Sequence, residues 1–464
     1  MSPKACEVLV VGGGPAGSAL ALLLAQRARD VALVDRGRAH HSGPHETLLA
    51  SSLPMLERAG LGRLVRDCAQ VDSMRHGAIW GGDELVWQAP GEAGLWLQRG
   101  PFDEALRTAA AARGARVGCP GRVRLRPGGG EAELDLAGAG AELLRPAHVV
   151  IATGRGPLPA TVGAHEAAAG PRTFAFTFVG EPAAGDRGTA VVEAVPEGWI
   201  WTHAPAAGGA SAAVLLDGAQ LHEVGREVLL ARAFAHARGP AQRLRDRRLR
   251  HANDATARLR TTAADVLLLG DAAATIDPLA SQGVEKALAA AEQAAAVLDT
   301  ALDRPDWWPR LRLLHARWEQ GLFNAHRAAS AAFVQLERRF TAEPFWRRRQ
   351  PPSAPRPALA PGTPLVRAAS VQDGSILVRH GDGFVEAEGA CDTATGETLS
   401  HVGYVPVLPL LATFAVPRAL ADAVTAAGRD ARLFVLPPRA VHEAMLELHR
   451  RGWLTAAAGA AGSP

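Results

Sequence analysis

Lysine is almost missing from this chain: of 50 basic residues, 48 are arginine and only Lys4 and Lys286 carry an amine. Any chemistry that needs an amine therefore has two candidates. Cysteine is also scarce, and Cys6, Cys68, Cys119 and Cys391 are far apart with no CxxC spacing. That excludes a disulfide framework and a zinc knuckle, and no metal site is expected. No apolar run approaches the roughly 20 residues that cross a bilayer, and the N-terminus shows no basic stretch followed by an apolar segment and a small-residue cleavage site. The expected location is the cytoplasm, with no membrane partner. Nor is there a large excess of one charge: a formal net charge of +3 is too small to indicate nucleic acid. The densest basic run, Arg243 to Arg250 (RLRDRRLR), lacks interleaved aromatics and reads as a solvated face.

What is present is an ordinary globular composition, 48% apolar and 21% charged over 464 residues, enough for two or three structural units. The strongest signal comes first. Val8 to Val11 is a short β-branched run; Gly12, Gly14 and Gly17, with Pro15 and Ala16 between them (GGGPAG), open an apolar helical stretch; and a second strand, Val31 to Val34, ends at Asp35 and Arg36. This is a βαβ unit with a dinucleotide fingerprint. The glycines permit a tight turn, close approach of backbone to a pyrophosphate and close packing of helix on strand. The helix N-terminus then offers free N–H groups to the phosphates, and Asp35 can accept hydrogen bonds from a ribose diol.

A second segment decides which dinucleotide is expected. Residues 264–282 read ADVLLLGDAAATIDPLASQ: a buried strand, then Gly270 and Asp271, a turn at Pro278, and Gln282 and Gly283 opening a helix. GDAAATIDPLASQGVEKAL resembles the second flavin motif of the flavoprotein monooxygenase and flavin-dependent halogenase superfamily. The resemblance implies FAD as cofactor, with Asp271 on the ribityl chain and Pro278, Gln282 and Gly283 lining the flavin. A helix N-terminus at the pyrimidine end of the ring would stabilise negative charge there.

Two further segments are similar to the same superfamily. HETLLASSLPMLERAGL (His45 to Leu61) resembles the GE(S/T)L stretch of the halogenase and prenyl-reductase branches, with His45 where glycine is usual, and implies that Glu46 lies close to the flavin. LQRGPFDEAL resembles the segment whose arginine touches FAD, which nominates Arg99. VVIATGR (Val149 to Arg155) takes the place of a third motif but has Ala-Thr-Gly where aromatic hydroxylases carry Asp-Gly, so docking of NAD(P)H in their manner does not follow.

From Thr173 to Leu216 the pattern becomes period-two strands (TFAFTFVG, GTAVVEAV, GWIWTHAP, SAAVLLD) separated by turn residues, an antiparallel sheet inserted between the flavin-binding halves. Alternation puts Trp199, Trp201 and His203 on one face, either as core or above an active site. Apolar residues at Leu311, Leu314, Trp318, Leu322, Ala325, Ala329, Phe333, Leu336 and Phe340 predict a long amphipathic helix or two. Beyond it lies a Pro-rich connector, then a hairpin (SILVRHGDGFVEAEG) and two helices (LPLLATFAVPRALADAV and PRAVHEAMLELHRRGWL). The expected class is α/β: a Rossmann-like FAD-binding domain in two parts (1–165 and 261–342, the second with long helices), an antiparallel substrate domain (166–260), a linker (343–365) and a small winged-helix-like α+β module (366–464) suited to holding a protein partner.

The scarcity of lysine now bears on chemistry. In the halogenase branch a lysine in the first half of the fold relays hypohalous acid, and this chain offers none there beyond Lys4; Lys286 is expected to make an outward salt bridge. Halogenation is therefore disfavoured. The resemblance then implies a reduced flavin that activates oxygen and passes one atom to an electron-rich ring, helped by a base; His203, His45 and Glu46 are the candidates. The combination of the GETL-like segment, ATGR, GDAAATIDPLASQG and a long C-terminal extension is most similar to the maturation flavoproteins of tryptophylquinone enzymes, those of the quinohaemoprotein amine dehydrogenase and of the lysine and glycine oxidase types. It implies an FAD-dependent monooxygenase hydroxylating a tryptophan side chain of a precursor polypeptide, with NAD(P)H or a flavin reductase as electron source. Two alternatives stay open: an oxygenase or reductase of a small aromatic or prenyl compound, and a flavin-binding chaperone that performs no oxidation.

Overall fold

The structure, a computed structural model, describes residues 4–36, 46–48, 52–70, 75–88, 95–119, 122–125, 132–136, 140–280, 282–350, 359–360 and 362–457. It divides into two compact units, 1–352 and 353–464.

In the first unit the opening strand Lys4–Val11 lies between Val31–Val34 and Gly140–Ile151, parallel to both, and Leu267–Leu268 joins Gly140–Ile151 on its far side, again parallel. Arg116–Gly118 extends the parallel part beyond Val31–Val34. Valine and leucine dominate these strands because both faces are covered, and Val8, Leu9, Val10, Val31, Leu33, Val150 and Ile151 are almost fully buried. The helix Pro15–Gln26 returns the chain between the first two strands, buried along nearly its whole length and packed against the helices Arg99–Ala112 and Gly283–Asp303. All parallel strands present their carboxyl ends on one edge, the place where open α/β sheets bind ligands. Gly12, Ala152 and Gly270 are therefore neighbours there although 258 positions separate the outer two.

The period-two strands form the expected antiparallel sheet, in the order Arg245–Asp254, Thr173–Glu181, Ala210–Asp217, Gly198–Ala204, Thr189–Val195. The sheet continues with Arg75–Ile79, which runs parallel to Thr189–Val195, and then with Val86–Trp87. The 166–260 boundary thus omits two strands taken from the first flavin-binding part. Ile200, Ala212, Val214 and Leu216 face the helix Arg226–His236, whereas Trp199, Leu215 and Ala175 face Phe345 and Trp346. The arginine run forms the exposed edge strand.

Two expectations need correction. Residues 344–349, assigned to the connector, form a helix with Pro344 at its start, where a missing N–H costs nothing. Phe345 and Trp346 drive it into the sheet, and Trp346 donates from Nε1 to the Val195 carbonyl at 2.8 Å. Trp346→Ala is expected to lower the stability of this unit by about 3–5 kcal/mol, measured by chemical denaturation. The long helix Trp308–Leu336 exists, but the stripe Leu314–Trp318–Leu322 is not its buried face. Of the predicted stripe it buries Leu311, joined by His315, Glu319 and Phe323, and it leaves Leu313, Phe333 and Leu336 exposed.

The second unit holds the expected hairpin, Val371–His380 with Gly383–Asp392, and Thr398–Leu399 adds a third strand. The segment LPLLATFAVPRALADAV is not one helix but two, Val407–Thr413 and Leu420–Ala427. Pro417 accounts for the break, because the residue before a proline is pushed out of helical geometry. The last helix, Pro438–Arg450, is followed by Gly452 at φ +81°, and Phe414, Met445, Leu448 and Trp453 form the core.

Candidate active site

Glycine is dictated at two positions of the first turn. Gly12 has φ +118°, and a Cβ there would stand 2.3 Å from the Ala152 carbonyl oxygen. A Cβ on Gly17 would stand 1.9 Å from the Gly12 oxygen. Gly14 differs: a Cβ would meet nothing within 4 Å, so its side opens into free space at the start of the helix. That first turn has no side-chain cap and no acidic residue, so its N–H groups and positive dipole are uncompensated. The Gly13 carbonyl accepts from the Ser18 hydroxyl at 2.9 Å and from Arg107 at 3.0 Å, which fixes the loop at the helix start. A pyrophosphate fits this cradle.

Asp35 is buried at the end of its strand and accepts the Arg36 N–H at 2.8 Å; Arg36 is exposed. Arg107 also approaches Asp35, at 3.8 Å. Sequence reasoning missed Arg107. Its signal was its place two helical turns after Arg99, on the same face of the helix Arg99–Ala112. Arg99 itself pairs with the fully buried Asp103 at 3.2 Å, which aims its guanidinium.

Gly270, at φ +64°, lies against the first motif: a Cβ on it would stand 2.8 Å from Cβ of Ala16. Asp271 follows, half-buried between two cations, with Lys286 at 3.5 Å from Oδ1 and Arg155 at 3.4 Å from Oδ2. Arg155, from the ATGR segment, was also missed. Lys286 corrects an expectation outright: it points inward, is 1% exposed and donates to the Ala274 carbonyl. Pro278 and Gln282 are half-buried and Gly283 is exposed at the start of the helix Gly283–Asp303. Beside Pro278, Asp277 accepts the Leu279 N–H at 2.9 Å, and burial pushes its carboxyl above the ordinary range.

The short strand Glu46–Leu48 pairs with Leu95–Leu97, placing Glu46 opposite Leu97 and Thr47 opposite Trp96. Leu48 is buried, and the strand packs against the helix Gly283–Asp303. His45 lies outside the described residues. Trp96, on the partner strand, contacts His203, with ring centroids 4.6 Å apart. His203 stacks on Trp201 at 5.6 Å, and His76 on Trp96 at 5.3 Å. His76, Trp96, Trp201 and His203 thus form one aromatic cluster, while Trp199 belongs to the core around Trp346. His76 and Trp96 carried no recognisable motif.

The fold and these sites define a Rossmann-like α/β protein whose cradle fits FAD, with a fold like that of the flavin-dependent halogenases of known structure. Residues 5–214 match the family described as FAD binding domain. Over 97% of this chain and 100% of the other, the structure is similar to the peptidyl tryptophan dihydroxylase QhpG, essential for tryptophylquinone cofactor biogenesis, at 25% identity and a TM-score of 0.68. The flavin-dependent halogenase CmlS aligns over 98% of this chain and 96% of its own at 19% identity and a TM-score of 0.73, a likeness of fold. Among curated proteins, a menaquinone reductase of Mycobacterium tuberculosis is 32% identical over 114 residues, 24% of this chain and 28% of that one. A tryptophan 2-halogenase of Chondromyces crocatus is 33% identical over 122 residues, 25% of this chain and 23% of that one. The match thus spans about a quarter of the length of either curated relative. No helix among the described residues is long and apolar enough to cross a membrane.

Proposed function

We propose that this chain is an FAD-dependent monooxygenase that hydroxylates a tryptophan side chain carried by a partner polypeptide, as a step in tryptophylquinone biogenesis. The observation that carries the reading is the similarity to the peptidyl tryptophan dihydroxylase across both chains, second unit included. When bound, the flavin supplies oxygen activation and transfer. The chain's own residues do the rest. Gly14 and the uncapped helix start receive the pyrophosphate, Asp35 the ribose, Asp271 the ribityl chain, and Arg99 stands at the cofactor. Trp201, only partly buried, offers a flat apolar face against which an indole can stack, and His203, packed against Trp201 and Trp96, removes the proton that the ring loses on hydroxylation. Precursor recognition is assigned to the 353–464 unit.

The lysines argue against halogenation. Lys4 pairs with Glu142 at 3.1 Å on the surface, and Lys286 is committed to Ala274 and Asp271, so no amine is left for a relay. The menaquinone reductase match favours a second reading, reduction of a prenyl compound by the same flavin site. One experiment separates the two. The reduced flavoprotein is incubated with the precursor polypeptide in air, and tryptophan-containing peptides are examined by mass spectrometry. Gain of oxygen on a tryptophan peptide is expected; no gain with a competent precursor, together with turnover of a free quinone, establishes the second reading.

A further inference from the structure

The long helix Trp308–Leu336 turns a histidine and a glutamate into the protein while leaving Leu313, Phe333 and Leu336, 49%, 42% and 58% exposed, in water. Burying Glu319 in place of leucine is costly unless the charge has a use. Glu319 is 3% exposed, and its carboxylate has no side-chain hydrogen-bond partner among the described residues, the Gly270 N–H being a backbone donor turned towards it. The groups facing it come from three elements. His315, one turn earlier on the same helix, is 4.0 Å away and bonds through Nε2 to the Leu268 carbonyl at 3.0 Å; burial keeps its imidazole below the ordinary value, and hence neutral. From Gly270–Ala272 come the Gly270 N–H and the Asp271 charge, and from the helix Gly283–Asp303 comes Lys286. His326, further along, is likewise held low by burial and then by the Lys286 charge. Lys286 is therefore the cation shared by two anions, Asp271, which Arg155 also pairs, and the buried Glu319.

We propose that Lys286 and Glu319 are positioning residues for the cofactor: Lys286 holds Asp271 from behind in the orientation that receives the ribityl chain, and Glu319 balances Lys286, taking one proton from solvent when FAD binds. This rests on the FAD reading and is independent of the substrate. FAD brings two phosphate charges and removes water from Asp271, whose side chain is 34% exposed. In the drier site the Lys286–Asp271 attraction strengthens, and Glu319 loses part of its compensation. Its carboxyl is already pushed up to about 7, first by burial and then by Asp271, against the opposing charge of Lys286. Raising it further means proton uptake. The sign follows: affinity is highest below about pH 7, where the proton is already in place, and falls as the pH rises through and above that value, with a limit of about tenfold per pH unit for one proton.

The full chain, stripped of flavin, is titrated with FAD by fluorescence between about pH 6 and 8.5, as wild type, Glu319→Gln and Lys286→Met. The wild-type dissociation constant is expected to rise roughly threefold or more across that range. Glu319→Gln should bind with little pH dependence, near the low-pH plateau of the wild type, and Lys286→Met should bind roughly tenfold more weakly, also with a flat profile. FAD bound with a flat wild-type profile, or a full slope retained in Glu319→Gln, overturns this inference alone. Failure to bind FAD at any pH overturns the flavin reading and this inference with it. Should Glu319→Gln fail to fold, calorimetry of wild type near pH 7.5 in two buffers of different ionisation enthalpy decides: a fraction of a proton taken up is expected, and none overturns the proposal.

Discussion

Replacing Gly14 with valine should leave a folded protein that has lost FAD. Gly14 has φ −75° and ψ −175°, extended backbone that any residue adopts, and its missing Cβ faces no protein atom within 4 Å. The fold therefore tolerates a side chain there, at a cost of about 1 kcal/mol or less for a poorer helix cap. The pyrophosphate does not: the branched side chain occupies the space in front of the free N–H groups. Affinity should fall at least about a hundredfold, or about 2.7 kcal/mol, by fluorescence titration. Gly17→Ala is the contrast. Its Cβ would collide with backbone, 1.9 Å from the Gly12 oxygen, so the βαβ unit must rearrange. A loss of about 3 kcal/mol or more in folding stability is expected. Gly14→Val that binds FAD normally would show that the cofactor does not sit on this helix start.

The second large effect concerns His203. Phenylalanine at this position keeps a ring of similar size against both Trp96 and Trp201, at 4.6 and 5.6 Å from the histidine now, and removes both nitrogens. If His203 takes the substrate proton, oxygen transfer in the His203→Phe variant should drop by about 10²–10⁴-fold while FAD affinity and thermal stability stay close to wild type. Trp96→Leu serves as the packing control. It removes a ring that is 2% exposed and should cost stability as well as activity. Full oxygen transfer by His203→Phe would remove the base role and leave His203 as part of an aromatic wall.

The two motifs nominated for FAD were legible because each is local. A β-branched run, glycines at fixed offsets, an apolar helix and an acid after the next strand impose their geometry over some thirty residues, whatever surrounds them. The GDAAATIDPLASQG segment is similar. What the sequence did not disclose is how the cluster around them is completed. Arg107 reaches the Gly13 carbonyl, Arg155 and Lys286 flank Asp271, and Trp96 meets His203, all across sequence separations at which no periodicity operates. The long helix shows the limit most clearly. A spacing of three and four is satisfied by adjacent stripes on one cylinder, so Leu314–Trp318–Leu322 and Leu311–His315–Glu319–Phe323 are equally good helices. Counting apolar residues selects the wrong one, because Glu319 is buried against a charge, Lys286, that lies on another helix.

By itself, then, the order of residues determined the βαβ turn, the strand pattern of the inserted sheet and the shortage of amines, since steric and period-two or period-3.6 rules act between near neighbours. Tertiary structure alone decided which face of each helix turned inward, which strands joined the second sheet and which charges met at Asp271. Those outcomes depend on pairs brought together only when the sheet closes, and an ion pair in a dry interior is worth its desolvation only if its partner is already there.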